Sequence, residues 1–207
     1  MPNADLPPAS PTRTIVCADS LPWMREHGTL AGACAVTSLP DVSEVNIPLP
    51  DWRVWFLDAV QLVVNSVADD SAALFFQSDI KRDGRWIDKG ALVTRAAEDA
   101  GAHILFHKII CRAPAGRLTP GRPGYTHLIA VSRALRCPDA LPIPDVIADA
   151  VRFARDHARA TSIFDPFCGV GTVPAVANAL GLDSLGIEKC RKRAEQSRAL
   201  TVRPDEL

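Results

Sequence analysis

Paired cysteines are absent from this sequence. Its six cysteines are dispersed, with no C-x-x-C pair, and several lie within or beside apolar strand-like segments. Such usage is typical of a reducing compartment, where cysteine serves as a small buried residue. The five histidines also lack the short repeat spacings of zinc sites, so the sequence predicts no metal site.

Long apolar segments are absent as well. The segment "VWFLDAVQLVV" at 54–64 is interrupted by charge and is shorter than the roughly 20 residues that cross a bilayer, so we expect no membrane contact. Residues 1–12 are polar and proline-rich without the apolar core of a signal peptide, which predicts a flexible tail. One folded domain should then cover residues 13–207, in a cytoplasmic protein or alternatively a nuclear one.

Acidic residues are missing between Asp99 and Asp139, although the whole chain is nearly neutral at a net charge of −1. The cations of this acid-free segment are Lys108, Arg112, Arg117, Arg122, Arg133 and Arg136. Cations without competing carboxylates predict a local positive face that suits phosphate groups.

What the sequence does contain is a regular alternation of strand and helix patterns. Strand-like segments of β-branched and apolar residues lie at 14–19, 32–38, 72–79, 103–111, 126–132, 161–165 and 183–188. Helix-like periods lie at 20–27, 51–66, 88–100, 144–158, 172–181 and 189–200. The alternation predicts an α/β fold, in which helices cover both faces of a mostly parallel sheet. The strands at 103–111 and 126–132 are joined only by a glycine- and proline-rich segment, so we expect them to run antiparallel.

One strand, loop and helix in succession, "TSIFDPFCGVGTVPAVANALGL" at 161–182, predict a ligand-binding corner. Gly169 and Gly171 let the backbone approach a ligand closely, and the following helix offers free N–H groups at its start. Glu188 ends the next predicted strand, where an acidic side chain can bind the two hydroxyls of a ribose. A tight turn without a ligand is the alternative.

Other nucleotide-binding motifs are excluded at this corner. The phosphate-binding pattern G-x-x-x-x-G-K-[ST] does not occur. Pro174 stands where a dinucleotide fingerprint would place a third glycine.

The segment "FDPFCGVGT" at 164–172 resembles the D-P-F-x-G-x-G-T motif of S-adenosylmethionine-dependent methyltransferases, in particular those that methylate amino groups of bases in DNA and RNA. "TIVCADSLPWM" is similar to the opening motif of the permuted members, and "AVTSLPD" to their (D/N/S)-P-P-(Y/F) motif. The resemblance covers about residues 13–200. It implies a Rossmann-like, circularly permuted methyltransferase fold with a seven-stranded, mostly parallel sheet and one antiparallel strand.

The same resemblance implies how the chain is divided. An acceptor half at 13–136 would precede a donor-binding half at 137–202, and the glycine-rich corner would therefore come late. In the strand numbering of that family the sheet order would be 3-2-1-4-5-7-6, with strand 7 antiparallel.

S-adenosyl-L-methionine is the cofactor that the resemblance implies. Phe167, Gly169 and Gly171 would cradle its methionine end, Thr172 would cap the helix, and Glu188 would bind the ribose. Asp19 with Ser20 would hold the adenine amine. The full set of cofactor residues would be Asp19, Ser20, Thr37, Asp165, Pro166, Phe167, Gly169, Gly171, Thr172 and Glu188.

The catalytic motif of the resemblance falls on Ser38, Leu39, Pro40 and Asp41. In that family the first side chain and the next carbonyl accept hydrogen bonds from the target amine, and the last residue is an aromatic that stacks on the base. Asp41 replaces the aromatic, and a carboxylate cannot stack. Either the acceptor is not the usual flipped base, or a platform comes from Trp52, Trp55 or Trp86. Asp41 would be a hydrogen-bond acceptor or base, or else an exposed loop acid or a helix cap.

Substrate-binding candidates are Trp86, Arg112, Arg122 and Tyr125. Because the segment at 133–144 is too short for the target-recognition region of DNA enzymes, the sequence favours RNA, with tRNA first, as the substrate. The alternatives are a DNA adenine or cytosine amino-methyltransferase, a small-molecule acceptor, or a non-catalytic binding module of the same fold. A homodimer or a partner subunit is left open, and Cys168 is expected to pack rather than to act as a nucleophile.

Overall fold

The computed structural model describes residues 10–114, 116–117, 119–121, 123–139 and 146–207. Its helices are α1 (Ser20–His27), α2 (Val42–Val45), α3 (Leu49–Asn65), α4 (Lys89–Asp99), α5 (Val146–Asp156), α6 (Thr172–Ala179) and α7 (Arg191–Ala199), followed by a 3₁₀ turn at Pro204–Glu206. Its strands are β1 (Arg13–Val16), β2 (Ala33–Thr37), β3 (Ala73–Gln77), β4 (Ile80–Arg82), β5 (Arg85–Ile87), β6 (His103–Cys111), β7 (Tyr125–Ser132), β8 (Ser162–Asp165) and β9 (Asp183–Ile187).

Seven strands form one sheet in the order β1-β9-β8-β2-β3-β7-β6. Strand β7 runs antiparallel to both of its neighbours, β3 and β6, and the other pairings are parallel. The predicted fold class is confirmed, and the observed order is the one expected from the resemblance. Strand β8 enters the sheet near its centre although it comes late in the chain.

Two apolar layers cover the sheet. Successive side chains of a strand point to opposite faces, so Phe75 of β3 packs with Trp52 and Phe56 of α3 on one face. Leu74 of the same strand packs on the other face against α5 and α6. Central strands buried on both sides explain why β2 is buried along its whole length.

The two ends of the described chain meet at the β1 edge of the sheet. Thr12 donates hydrogen bonds to the Asp183 carboxylate from its backbone N–H at 2.7 Å and from its hydroxyl at 2.9 Å. The guanidinium of Arg13 donates to the carbonyls of Ser197 and Leu200. Thr12, which the sequence places in the flexible tail, is therefore bonded to the folded domain, and residues 1–9 lie outside the described part.

A β-hairpin lies between β3 and α4. Strands β4 and β5 pair antiparallel around Asp83 and Gly84, whose φ angles are 50° and 73°. Positive φ at both central residues is the mark of a type I′ turn, for which Asp-Gly is a preferred pair. The hairpin places its cations beside the carboxyl end of β3.

Within the described residues, we find no helix that combines the length and apolarity of a membrane span.

Candidate active site

A cavity of about 480 Å³ lies beside the glycine-rich corner, and we call it the corner cavity. It forms where the carboxyl ends of β8, β9 and β2 meet the start of α1. The predicted cofactor residues that line it are Asp19, Ser20, Phe167, Gly169 and Glu188. The sequence did not single out Lys189 or Arg193 as ligands, and it considered Trp55 only as a platform for a base, but all three also line the corner cavity.

The glycines of the corner hold the loop in a conformation that other residues rarely adopt. Gly169 has a φ of 55° and Gly171 a φ of 91°. Gly171 is the N-cap of α6, which begins at Thr172. The expectation that Thr172 caps this helix is wrong, because Thr172 is already the first helical residue and its side chain is exposed.

A buried layer supports the corner from behind. The Thr37 hydroxyl donates to Asp165 Oδ1 at 2.7 Å, and the Phe167 N–H donates to the same oxygen at 3.2 Å. The Ser20 hydroxyl donates to the Pro166 carbonyl. These contacts tie β2, β8 and α1 together, and they place Thr37, Asp165 and Pro166 in the support of the corner cavity rather than among its lining residues.

Burial raises the pKa of Asp165 to about 7, against the opposing hydrogen bonds from Thr37 and Phe167. The nearby Glu188 carboxylate raises this pKa further. Asp165 therefore titrates near neutral pH. Burial likewise raises the pKa of the Cys168 thiol to about 12. The thiol is therefore protonated at neutral pH, which favours packing over a nucleophilic role.

We expect the stability of the fold to fall as the pH rises through the titration of Asp165. An unfolded carboxyl group has a pKa of about 3.9, so the folded state binds this proton more tightly; the resulting stabilisation is complete below that pKa and is lost as the pH rises through 7. Between about pH 5.5 and pH 8 the loss is roughly 2 kcal/mol, or about 4–8 °C in melting temperature. Asp165→Asn keeps an acceptor for Thr37, and its melting temperature should depend less on pH. An unchanged pH slope in thermal melts of Asp165→Asn would contradict the assignment.

Two carboxylates that line the corner cavity, Asp19 and Glu188, are held by other groups of the protein. Asp19 is the N-cap of α1, and its Oδ1 accepts a hydrogen bond from the Leu21 N–H at 3.3 Å. Its Oδ2 lies 2.8 Å from the Lys189 ammonium. Glu188 Oε1 accepts a hydrogen bond from the Cys190 N–H at 2.6 Å. These contacts hold the two carboxylates at the ends of β1 and β9.

The predicted catalytic motif, at 38–41, forms the loop between β2 and α2. Trp52, fully buried in α3, donates its indole N–H to the Pro40 carbonyl at 3.2 Å. The Glu44 carboxylate accepts a hydrogen bond from the Asp41 N–H at 2.8 Å, and Asp41 is the N-cap of α2. The loop is therefore fixed at its last two residues. The helix-cap position that the sequence offered as an alternative for Asp41 is observed.

A second cavity of about 580 Å³ lies on the other side of this loop, and we call it the basic cavity. Its cations are Lys81, Arg82, Lys89 and Arg112. Ser38, Leu39 and Glu44 line both cavities, so the two spaces meet at the loop. Lys89 Nζ lies 2.5 Å from Asp41 Oδ1 in an ion pair within the basic cavity wall.

Asp79, which the sequence did not single out, organises the wall of the basic cavity. Its Oδ2 accepts hydrogen bonds from the Tyr125 hydroxyl at 2.6 Å and from the Trp86 indole at 3.2 Å. Its Oδ1 accepts from the Lys89 N–H at 2.8 Å and lies 3.0 Å from His127 Nε2. Burial alone would raise the pKa of Asp79, but these hydrogen bonds outweigh it and lower the pKa. Asp79 is therefore a fully bonded anion.

The predicted substrate residues are placed differently from one another. Arg112 lines the basic cavity, whereas Trp86 and Tyr125 support its wall through Asp79. Arg122 lies outside the described residues. Arg133, in the acid-free segment, is bound to Asp69 and to carbonyls at the end of α3, so it serves the fold.

The aromatic ring that lines the basic cavity within the described residues is Phe76 of β3. Trp52 lies in the core, and Trp55 lines the corner cavity with its ring centroid 5.7 Å from that of Phe167. A group of possible metal-binding atoms lies beside the basic cavity wall: those of Asp79, Asp88 and His127 are within 4.8 Å of one another. Because Asp79 and Asp88 already accept hydrogen bonds from α4 backbone N–H groups, we assign these residues to the hydrogen-bond network.

Several solved structures have a similar fold. A Thermus thermophilus protein, TTHA0409, named as a candidate DNA modification methylase and crystallised with S-adenosyl-L-methionine, has a TM-score of 0.67 at 15% identity, covering 91% of this chain and 93% of that one. PvuII DNA methyltransferase, named as cytosine-N4-specific, has a TM-score of 0.67 at 12% identity, covering 91% and 86%. The M1.HpyAVI–SAM complex has a TM-score of 0.61 at 13% identity, covering 91% and 99%.

Neither a known family profile nor a curated protein matches the sequence. At such low identities the likeness to solved structures concerns the fold. The chain has the α/β fold of these methyltransferases, with two cavities that meet at the loop of residues 38–41.

Proposed function

We propose that this protein is an S-adenosylmethionine-dependent methyltransferase that acts on an amino group of a nucleic-acid base. The observation that carries the proposal is the meeting of the two cavities at Ser38 and Leu39. We assign the methyl donor to the corner cavity and the nucleic acid to the basic cavity, which Lys81, Arg82 and Arg112 line. A loop between them is the place where donor and acceptor can be aligned for direct transfer.

The chemistry of the corner cavity fits the donor. Glu188 would accept hydrogen bonds from the ribose hydroxyls, and Asp19 with Lys189 would face the adenine end. Gly169 lines the corner cavity without a side chain, so the methionine end can approach the backbone. Trp55 and Phe167 supply an apolar wall. When bound, S-adenosylmethionine supplies an activated methyl group on a sulfonium.

The motif loop would orient the acceptor. The Ser38 hydroxyl and the Leu39 carbonyl would accept hydrogen bonds from the target amine, so that its lone pair points at the methyl carbon. On transfer of the methyl group the amine would lose a proton, which the Asp41 carboxylate or solvent would take up. Asp41 would accept a further hydrogen bond from the acceptor, in place of the stacking contact that an aromatic residue would give.

DNA is the acceptor that we propose first. The names of the neighbouring structures refer to DNA, and the RNA preference from the short segment at 133–144 has no support among them. Lys81, Arg82 and Arg112 would contact phosphates at the mouth of the basic cavity, with the base entering toward Ser38. RNA is the second substrate to be assayed.

Replacing Glu188 by glutamine should weaken donor binding by about 10- to 100-fold, because hydrogen bonds to a charged group contribute about 1.5–3 kcal/mol. Calorimetry with S-adenosylmethionine measures this directly. Glu195→Gln, an exposed residue of α7 paired with Arg191, is the matched control and should bind the donor normally. Equal affinities for wild type and Glu188→Gln would remove Glu188 from the donor site.

The reaction itself is tested with methyl-labelled donor and three acceptors: duplex DNA, denatured DNA and total RNA. Label in either DNA sample supports the proposal as stated. Label in RNA alone would restore the RNA assignment. Donor binding without transfer to any nucleic acid would favour a non-catalytic module.

A further inference from the structure

Lys89 is a buried cation at the start of α4. Only 3% of its side chain is exposed, and its ammonium lies 2.5 Å from Asp41 Oδ1. Lysine is almost never fully buried without a partner, because removing a charge from water is costly. The Asp41 side chain is 37% exposed, so this ion pair joins a buried cation to a carboxylate that faces the basic cavity.

The backbone of Lys89 is held as firmly as its side chain. Its N–H donates to Asp79 Oδ1 at 2.8 Å. The preceding residue, Asp88, caps α4 by accepting from the Ala91 N–H at 2.8 Å. Lys89 therefore projects its ammonium from a fixed helix start, and it connects the end of β3 with the motif loop.

Asp41 is held at two points as a result. Its N–H donates to Glu44, and its carboxylate is bound by Lys89. Ser38 lies three residues earlier on the same loop, at the junction of the two cavities. Motion of Asp41 would displace the Leu39 carbonyl and the Ser38 hydroxyl, which we assign to the acceptor.

We propose that Lys89 is a positioning residue, which holds the Asp41 carboxylate in the direction of the acceptor through the buried ion pair. The inference rests on the proposed function and deepens it. It explains how Asp41 can stand where the family motif has a stacking aromatic, because the Asp41 carboxylate has a fixed positive partner in Lys89. Lys89 acts on the acceptor through Asp41, and both residues line the basic cavity and not the corner cavity.

The test compares Lys89→Met, Lys89→Arg, Asp41→Asn and the double variant Lys89→Met/Asp41→Asn. Methyl transfer to DNA should fall about 10- to 100-fold in Lys89→Met, since displacement of an orienting group by about 1 Å has this effect. Donor affinity in calorimetry should fall far less than the rate, because Lys89 and Asp41 line the basic cavity and not the corner cavity. Lys89→Arg should recover part of the rate, and Lys89→Met should add little to Asp41→Asn because both remove one interaction.

A measurement without substrate keeps the inference separate from the proposed function. Hydrogen–deuterium exchange of residues 38–46 should rise in Lys89→Met and be restored in part by Lys89→Arg, while exchange of β1 and β9 stays constant. Arg25→Met breaks an exposed ion pair with Asp58 at the same 2.5 Å distance and should leave exchange of residues 38–46 unchanged.

Unchanged exchange in Lys89→Met would overturn the positioning role whether or not transfer is observed. Fully additive rate losses in the double variant would overturn it too. Increased exchange together with absence of transfer in the wild type would leave Lys89 as the support of the loop and would count against the methyltransferase assignment alone. If Lys89→Met does not fold, Lys89→Gln retains polarity at the site and gives the same comparison.

Discussion

Replacing Ser38 by alanine or Asp41 by asparagine is expected to slow methyl transfer by about 10²- to 10⁴-fold, the range of general acid–base and orienting contributions. Donor affinity should stay nearly intact for Asp41→Asn, because Asp41 lines the basic cavity and not the corner cavity. Ser38 lines both, so a small loss of donor affinity is expected for Ser38→Ala. Single-turnover transfer and calorimetry on the same variants measure the two effects separately.

Ser43→Ala is the matched control for these variants. Ser43 lies in α2, is exposed, and lines the basic cavity without belonging to the motif. It should retain both transfer and donor binding. A fully active Asp41→Ala variant would assign Asp41 to its observed N-cap position alone, whereas a parallel loss of donor affinity in Asp41→Asn would assign it to support of the corner cavity.

The sheet could be predicted because its signals are local. Each strand is a short apolar segment, and the glycine-rich linker between β6 and β7 excludes a crossover helix, so even the antiparallel pairing follows from sequence. The corner could be located for the same reason, since Asp165, Gly169 and Gly171 lie within a few residues of one another. The hairpin β4–β5 also has a local signal, the turn-favouring pair Asp83-Gly84.

The wall of the basic cavity could not be predicted, because its contacts join distant elements. Asp79 collects donors from β5, α4 and β7, and no spacing along the chain connects Trp86, Tyr125 and His127. The Lys89–Asp41 pair likewise joins the start of α4 to the loop after β2. Residue type gives no indication that a lysine among exposed cations is buried.

Charge patterns were a partial guide. The acid-free segment places Arg112 at the basic cavity, but Arg133 of the same segment binds Asp69 beside α3. A cation that satisfies carbonyls at a helix end and one that faces a phosphate look alike in sequence. The distinction depends on packing, which composition does not contain.

Gly171→Ala is expected to reduce stability by about 3–5 kcal/mol and the melting temperature by roughly 8–15 °C. A Cβ at this position would lie 2.1 Å from Ser197 Oγ and 2.7 Å from Ser197 Cα, so helix α7 would have to move rather than one side chain. The φ of 91° adds backbone strain for any residue with a Cβ. Because α7 carries Arg193 on the corner cavity, donor affinity should fall as well.

Gly169→Ala separates strain from steric conflict in the same loop. Its φ of 55° is also left-handed, but a Cβ there meets no atom within 4 Å, so the expected cost is about 1–2 kcal/mol. Gly169 lines the corner cavity, and an added methyl group should weaken the donor more than it weakens the fold. In thermal melts, Gly171→Ala should lose more melting temperature than Gly169→Ala. When the loss of donor affinity from calorimetry is divided by the loss of melting temperature, the ratio should be larger for Gly169→Ala. Equal melting temperatures for the two variants would show that α7 does not pack against the corner as the Ser197 contact requires.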